Sequence, residues 1–272
     1  MRKKNALLII DAQYDFCNPN GALYVKGAEE DNKRLAQWIV DNSEEIDYIA
    51  ATLDSHVLND IAHPSYWMDA NGNYPAPFTL ISSQDVKDGK WTPRFAPHEA
   101  LAYLESLEAQ NEYKHCIWPP HCRIGSKGHS LDDIIDQALS KYQESGKMVK
   151  FVTKGTHPQT EHFGAFRAQV PVPGASETDI NMKLINTLET FQNVYLTGQA
   201  KSHCVANTLK QALEISPSLA KKFVVLEDTM SPVPGFENLA DSIYDKARQM
   251  GVRFSTTAKE KLAQHSGVAT VA

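Results

Sequence analysis

The chain has 272 residues, 42% of them from the AVILMFWYC set and 22% charged, the composition of an ordinary globular protein. A formal net charge of -6 excludes the basic footprint of a nucleic-acid binder or of a protein drawn to an anionic membrane, and no apolar run approaches the roughly 18 residues that a spanning helix needs. Four cysteines without a CxxC pair exclude a disulfide scaffold and predict reduced thiols in a cytoplasmic protein.

The opening MRKKNALLIID has a basic start, but its apolar run is short, ends in Asp11 and lacks a small-residue cleavage site. Residues 6–11 therefore read as a buried strand, not a signal peptide. Helical spacing follows over 29–42, then a second apolar run, DYIAATLD (47–54), closed again by an aspartate. Residues 130–143 read as helix, 147–154 as strand, 180–191 as helix and 193–198 as strand. A helix over 203–215 places Val205, Leu209, Ala212 and Leu213 on one face, followed by a strand over 221–228, a helix over 238–251 and a last strand over 252–256. The alternation predicts a three-layer αβα fold with a mostly parallel central sheet. Ligands of such sheets sit beyond the carboxyl ends of the strands, and Asp11, Asp54, Lys154 and the segment before Cys204 all fall there.

Residues 64–117 break the rhythm. Their first part is rich in Pro, Gly, Asn and aromatics, and a helix over 98–110 follows. A flexible linker would not carry Tyr66, Trp67, Phe78, Trp91 and Phe95, so an ordered insertion is expected within a single domain spanning 1–272.

Two sets of residues carry chemistry. In TLDSHVLNDIAHPSYW, Asp54 and His56 share a face of a strand end, with His63 downstream, Asp60 as a competing ligand, and His121 supplied by IWPPHC. Imidazole with carboxylate suits Zn²⁺, Fe²⁺ or Mn²⁺. His98, His115, His129 and His265 read as surface or packing residues, and His157, His162 and His203 as structural. The second set centres on Cys204. At the start of a helix its thiolate is favoured by the dipole, Lys154 adds a positive charge, and Asp11 can take and return a proton. The competing reading is a small buried hydrophobe.

Together LLIIDAQYDFCNPNGAL, ATLDSHVLNDIAH, WPPHC, KGTHPQTEHFGAF, LTGQAKSHCVANT and VLEDTMSPV resemble, in order and over nearly the whole chain, the nicotinamidase branch of the isochorismatase-like cysteine hydrolases. The resemblance implies that fold with an insertion at 64–117, and an Asp11–Lys154–Cys204 triad with Cys204 as nucleophile. It implies an oxyanion hole from the backbone N–H groups of Ala200 and Cys204, and a cis Gln199–Ala200 bond. It implies metal ligands Asp54, His56, His63 and His121 for one divalent ion, zinc foremost, which orients the ring nitrogen of nicotinamide. Phe16, Trp118, Phe163 and Phe166 match the substrate pocket. The implied reaction converts nicotinamide and water to nicotinate and ammonia through a thioester. The expected partner is a small amide, with no nucleic acid or membrane, and the chain is expected to form a homo-oligomer. Alternatives are another small-amide hydrolase of the superfamily or a non-catalytic binding or scaffold member. The sequence departs from the family pattern in the long 64–117 segment, in the spacing from Asp54 to His63, in Phe163-Gly164 and in Lys201-Ser202.

Overall fold

Six apolar runs form six parallel strands in a computed structural model that describes residues 4–110 and 113–262. They are β1 (Asn5–Ile10), β2 (Ile46–Asp54), β3 (Val149–Lys154), β4 (Asn193–Gly198), β5 (Phe223–Leu226) and β6 (Arg253–Ser255). Their order in the sheet is β3-β2-β1-β4-β5-β6. Every neighbouring pair is parallel.

Alternation along β1 sends Leu7 and Ile9 to one core and Ala6, Leu8 and Ile10 to the other. The first core is closed by α1 (Ala28–Asp41) and α3 (Asp133–Glu144), the second by α4 (Met182–Glu189), α5 (Ala206–Ile215) and α6 (Asp241–Gln249). This is the expected three-layer arrangement. In α1, Ala28, Asp31, Asn32, Leu35, Trp38 and Ile39 form the buried stripe, and Glu29, Glu30 and Asp31 place negative charge at the positive end of the helix. The helix α5 is buried nearly all round, and its polar Thr208 and Gln211 hold the backbone of residues 165–167.

The expected boundaries agree to within a few residues except at the nucleophile segment. In place of a helix starting at 203, one π-turn covers Lys201–Val205 and α5 begins at Ala206. Such bulges recur at functional sites. The helix expected over 98–110 is α2 (Pro97–Ala109).

The 64–117 segment also contains a two-stranded antiparallel ribbon, Trp67–Met68 with Thr92–Pro93, and a short helix, Ser83–Lys87. Tyr66 and Trp67 are buried in a separate cluster with Ile81, Tyr103, Leu104 and Leu107, whereas Phe78 and Phe95 remain exposed. His265 lies outside the described residues. Among those described, no helix is long and apolar enough to cross a membrane.

Candidate active site

The chain leaves β1, β2 and β3 in one direction across the sheet and returns to place β4 on the other side of β1. The crevice at this switch point lies between the carboxyl ends of β1 and β4. Ile10 and Gly198 are register partners there. A Cβ on Gly198 would lie 2.0 Å from the Ile10 carbonyl oxygen, and its φ is 115°, so the two ends meet only because this residue is glycine. Asp11 follows directly, with φ 45° and its N–H donating to Thr52 Oγ1 at 3.0 Å.

Asp11, Lys154 and Cys204 converge. Lys154 Nζ lies 2.8 Å from Asp11 Oδ2, 3.0 Å from Asp54 Oδ1 and 3.9 Å from Cys204 Sγ, and it donates to the His162 carbonyl at 2.8 Å. Thr52 Oγ1 donates to Asp11 Oδ1 at 2.6 Å. All three groups are almost wholly buried. Burial alone would discharge Lys154, but the carboxylates of Asp11 and Asp54 outweigh it and hold the ammonium well above its usual range. Burial raises the Asp11 carboxyl despite the Lys154 charge. Burial also pushes the Cys204 thiol well up, against the pull of Lys154. Desolvation at Cys204 thus opposes the helix end and the nearby ammonium, both of which favour the thiolate.

Asp54, His56 and His121 each offer one ligand atom, and these atoms lie within 4.8 Å of one another. His56 Nε2 is 3.0 Å from Asp54 Oδ2, and His121 Nε2 is 3.6 Å from the same oxygen. The remaining ring nitrogens are engaged, His56 Nδ1 by Asp60 Oδ2 at 3.0 Å and His121 Nδ1 by the Pro119 carbonyl at 2.9 Å. Two imidazoles held from behind, with their Nε2 atoms beside a carboxylate, form a donor set that fits a divalent cation. Asp60 therefore faces His56 from behind instead of competing for the site, and it also accepts the Ala62 N–H.

His63 is not brought into that cluster. Its ring packs edge-on against His56 and His121, its Nδ1 meets the Val57 carbonyl, and its Nε2 takes the backbone N–H of His121 at 3.4 Å. Burial and the two neighbouring imidazoles lower its pKa to about 2.

A narrow cavity joins the two sets. Its walls are Phe16, Leu23, Trp118, Phe163, His203 and Val233, and Asp54, His121, Glu161, Ala200 and Cys204 reach it. Phe16, Trp118 and Phe163 thus stand where the sequence placed them. Phe166 does not. It is fully buried in the core beneath α5, because Gln211 Oε1 takes the N–H groups of both Phe166 and Arg167 and turns the chain inward. A Cβ at Gly164 would lie 2.2 Å from Gln211 Oε1, which accounts for glycine at this departure from the family pattern.

The Gln199–Ala200 peptide is cis, and the Ala200 N–H has no protein acceptor among the described residues. Lys201 turns away toward the Tyr244 ring, and Ser202 is buried against Val233 and His203. The 64–117 segment reaches the cavity wall, since Phe78 packs edge-on against Trp118 and Tyr113 donates from its hydroxyl to the Ser202 carbonyl at 3.0 Å.

Sequence reasoning missed Leu23, Val233 and His203 as lining residues, whereas it placed Glu161 close to the pocket without a role. Glu161 accepts the Trp118 indole N–H at 3.0 Å, and burial raises its carboxyl to about 8.

No family model matches the chain. The curated nicotinamidase of Saccharomyces cerevisiae is 25% identical over 228 residues, covering 84% of this chain and 88% of that protein. Among solved structures, the yeast nicotinamidase bound to the inhibitor nicotinaldehyde aligns with a TM-score of 0.63 at 20% identity over 93% of this chain and 99% of that one. A protein from L. infantum in complex with nicotinate aligns at 0.59 and 20% identity, over 95% of each chain. The Pyrococcus horikoshii pyrazinamidase in complex with zinc aligns at 0.53 and 18% identity over 93% and 99%. These structures share the fold. Over most of its length the chain is similar to a curated nicotinamidase, and it shares the fold of solved nicotinamidases and pyrazinamidases.

Proposed function

We propose that the protein is a cysteine amidohydrolase of one hydrolase domain, with 64–117 as its insertion, and that it converts nicotinamide or a closely related aromatic carboxamide to the acid and ammonia. The observation that carries this reading is Lys154 Nζ lying 2.8 Å from Asp11 and 3.9 Å from Cys204, the latter reaching a cavity walled by aromatic rings.

In this reading Asp11 removes the Cys204 proton as sulfur attacks the carboxamide carbon, and a raised carboxyl pKa makes it the stronger base. The free N–H of Ala200 and that of Cys204 receive the developing oxyanion. Asp11 then passes the proton to departing ammonia and draws one from the water that opens the thioester. Lys154 keeps Asp11 oriented and offsets negative charge throughout. Asp54, His56 and His121 would hold a divalent cation, zinc in the first instance, which would supply Lewis acidity at that side of the cavity.

Ammonia release from nicotinamide, pyrazinamide and aliphatic amides, measured with and without chelator, tests the proposal. Aromatic amides should be turned over and Cys204→Ala should release none. Full activity in that variant would remove the assignment of the nucleophile.

A further inference from the structure

Asp31 stands in the first turn of α1, buried, and its two carboxylate oxygens serve different partners. Oδ1 accepts from Arg34 Nη2 at 2.7 Å, an ordinary pair at the start of a helix. Oδ2 accepts the Ser231 hydroxyl at 2.7 Å and Gln199 Nε2 at 3.1 Å. Neither of these residues belongs to the helix, so the helix end accounts for one oxygen only. Gln199 is fully buried, and its Oε1 takes the Ser231 N–H at 3.2 Å. Asp31, Gln199 and Ser231 thus close a ring of three hydrogen bonds.

That ring grips both neighbours of Ala200. Ser231 holds the side chain of Gln199 through its N–H, and its carbonyl accepts the Lys201 N–H at 2.9 Å. The Gln199 N–H in turn donates to the Ile10 carbonyl at 2.8 Å. The Ala200 carbonyl takes the N–H groups of His203 and Val205 at 3.1 and 3.2 Å. Ala200 lines the cavity, and its own N–H keeps no protein acceptor among the described residues. An oxyanion donor works by being in place before charge develops, so whatever fixes its neighbours governs the rate.

We propose that Asp31 is a positioning residue for the reaction. Acting through Gln199 and Ser231, it holds the Ala200 N–H where the oxyanion develops. Asp31 touches no substrate in this account, and its effect passes wholly through the loops that follow β4 and β5. This rests on the amidase reading, but the fixing of the Ala200 N–H can be measured without turnover.

Two experiments test it on the full chain. Asp31→Leu removes the acceptor, and in steady-state assays it should lower kcat for nicotinamide about 10–100-fold, the scale of a misplaced oxyanion donor, with KM within about twofold. Asp31→Asn keeps an amide oxygen for Gln199 and Ser231 and gives up the charge and the Arg34 pair, so it should recover most of that loss. Equal losses in the two variants would make the charge at the helix start the cause and overturn the proposal, as would an unchanged kcat or a change in KM alone for Asp31→Leu. Should Asp31→Leu not fold, Gln199→Met cuts the same ring while leaving Asp31 with Arg34, and it carries the same expectation and the same reversal. In ¹H–¹⁵N spectra of ¹⁵N-alanine-labelled protein, the Ala200 N–H should give one sharp resonance in the parent and in Asp31→Asn, and a broadened or split one in Asp31→Leu or Gln199→Met. A resonance that none of these substitutions alters overturns the proposal. If the parent releases no ammonia from nicotinamide, the amidase reading fails, and the spectra alone decide whether Asp31 fixes this N–H.

Discussion

Asp54 and Lys154 are register partners at the ends of adjacent strands, and Lys154 Nζ sits 3.0 Å from Asp54 Oδ1 while Oδ2 of the same carboxylate faces His56 at 3.0 Å. One aspartate therefore joins the proposed triad to the proposed cation site. Removing the ammonium strands two buried carboxylates. Lys154→Met should lose ammonia release and about 3–5 kcal/mol of stability by urea denaturation. A variant as stable as the parent would mean that Asp11 and Asp54 do not depend on Lys154 for their charge.

Glu161 gives a pH prediction of defined sign. Its folded pKa is raised from 4.5 to about 8, so between these values the folded state holds a proton that the unfolded state has released. Stability from this group therefore falls as pH rises through that window. Glu161→Gln removes the ionisation. Its stability relative to the parent should be level near pH 4.5 and rise steadily toward pH 8, reaching a few kcal/mol at most, about 1.4 per unit of pKa difference. Urea midpoints in chelated protein at several pH values check this, and a pH-independent difference would contradict it.

The cation site predicts a graded series. His56→Ala removes a ligand atom and should abolish bound metal by elemental analysis. Asp60→Asn leaves every ligand in place and weakens only the support behind His56 Nδ1. It should lower cation affinity by about 10–100-fold, the usual effect of such partners. Equal loss in both variants would make Asp60 a direct ligand.

Most of this architecture is legible in the sequence because β1, β2, β4 and β5 are largely buried apolar runs, each ending in or followed by a polar residue or glycine. The legible part stops where three-dimensional context decides. The Trp67–Met68 and Thr92–Pro93 ribbon is too short to show periodicity. Nothing local distinguishes Phe163, which faces the cavity, from Phe166, which Gln211 turns into the core. The resemblance offers His63 as a ligand, but where its Nε2 points, here toward the His121 backbone amide, is set by the loop and not by the motif. The strong burial of Cys204 is a property of packing that no motif records.

Gly198→Ala tests the meeting of β1 and β4. The added methyl cannot coexist with the Ile10 carbonyl at 2.0 Å, and the backbone sits where only glycine is unstrained. The variant should lose more than about 2 kcal/mol in urea denaturation or fail to fold. A near-neutral effect would show that the two strand ends can separate without cost.

The strand that delivers Lys154 borders the sheet. Among the described residues β3 pairs only with β2, and Phe151 and the preceding Met148 stand 42% and 82% exposed. Border strands are ordinarily the first to open, and their amides exchange with solvent earliest. Here the last residue of the border is pinned by two carboxylates and the His162 carbonyl, so the charge that serves the chemistry also fastens the margin of the sheet. Opening of that margin and loss of the reactive arrangement become one event, and amide exchange along 149–154 reports on both.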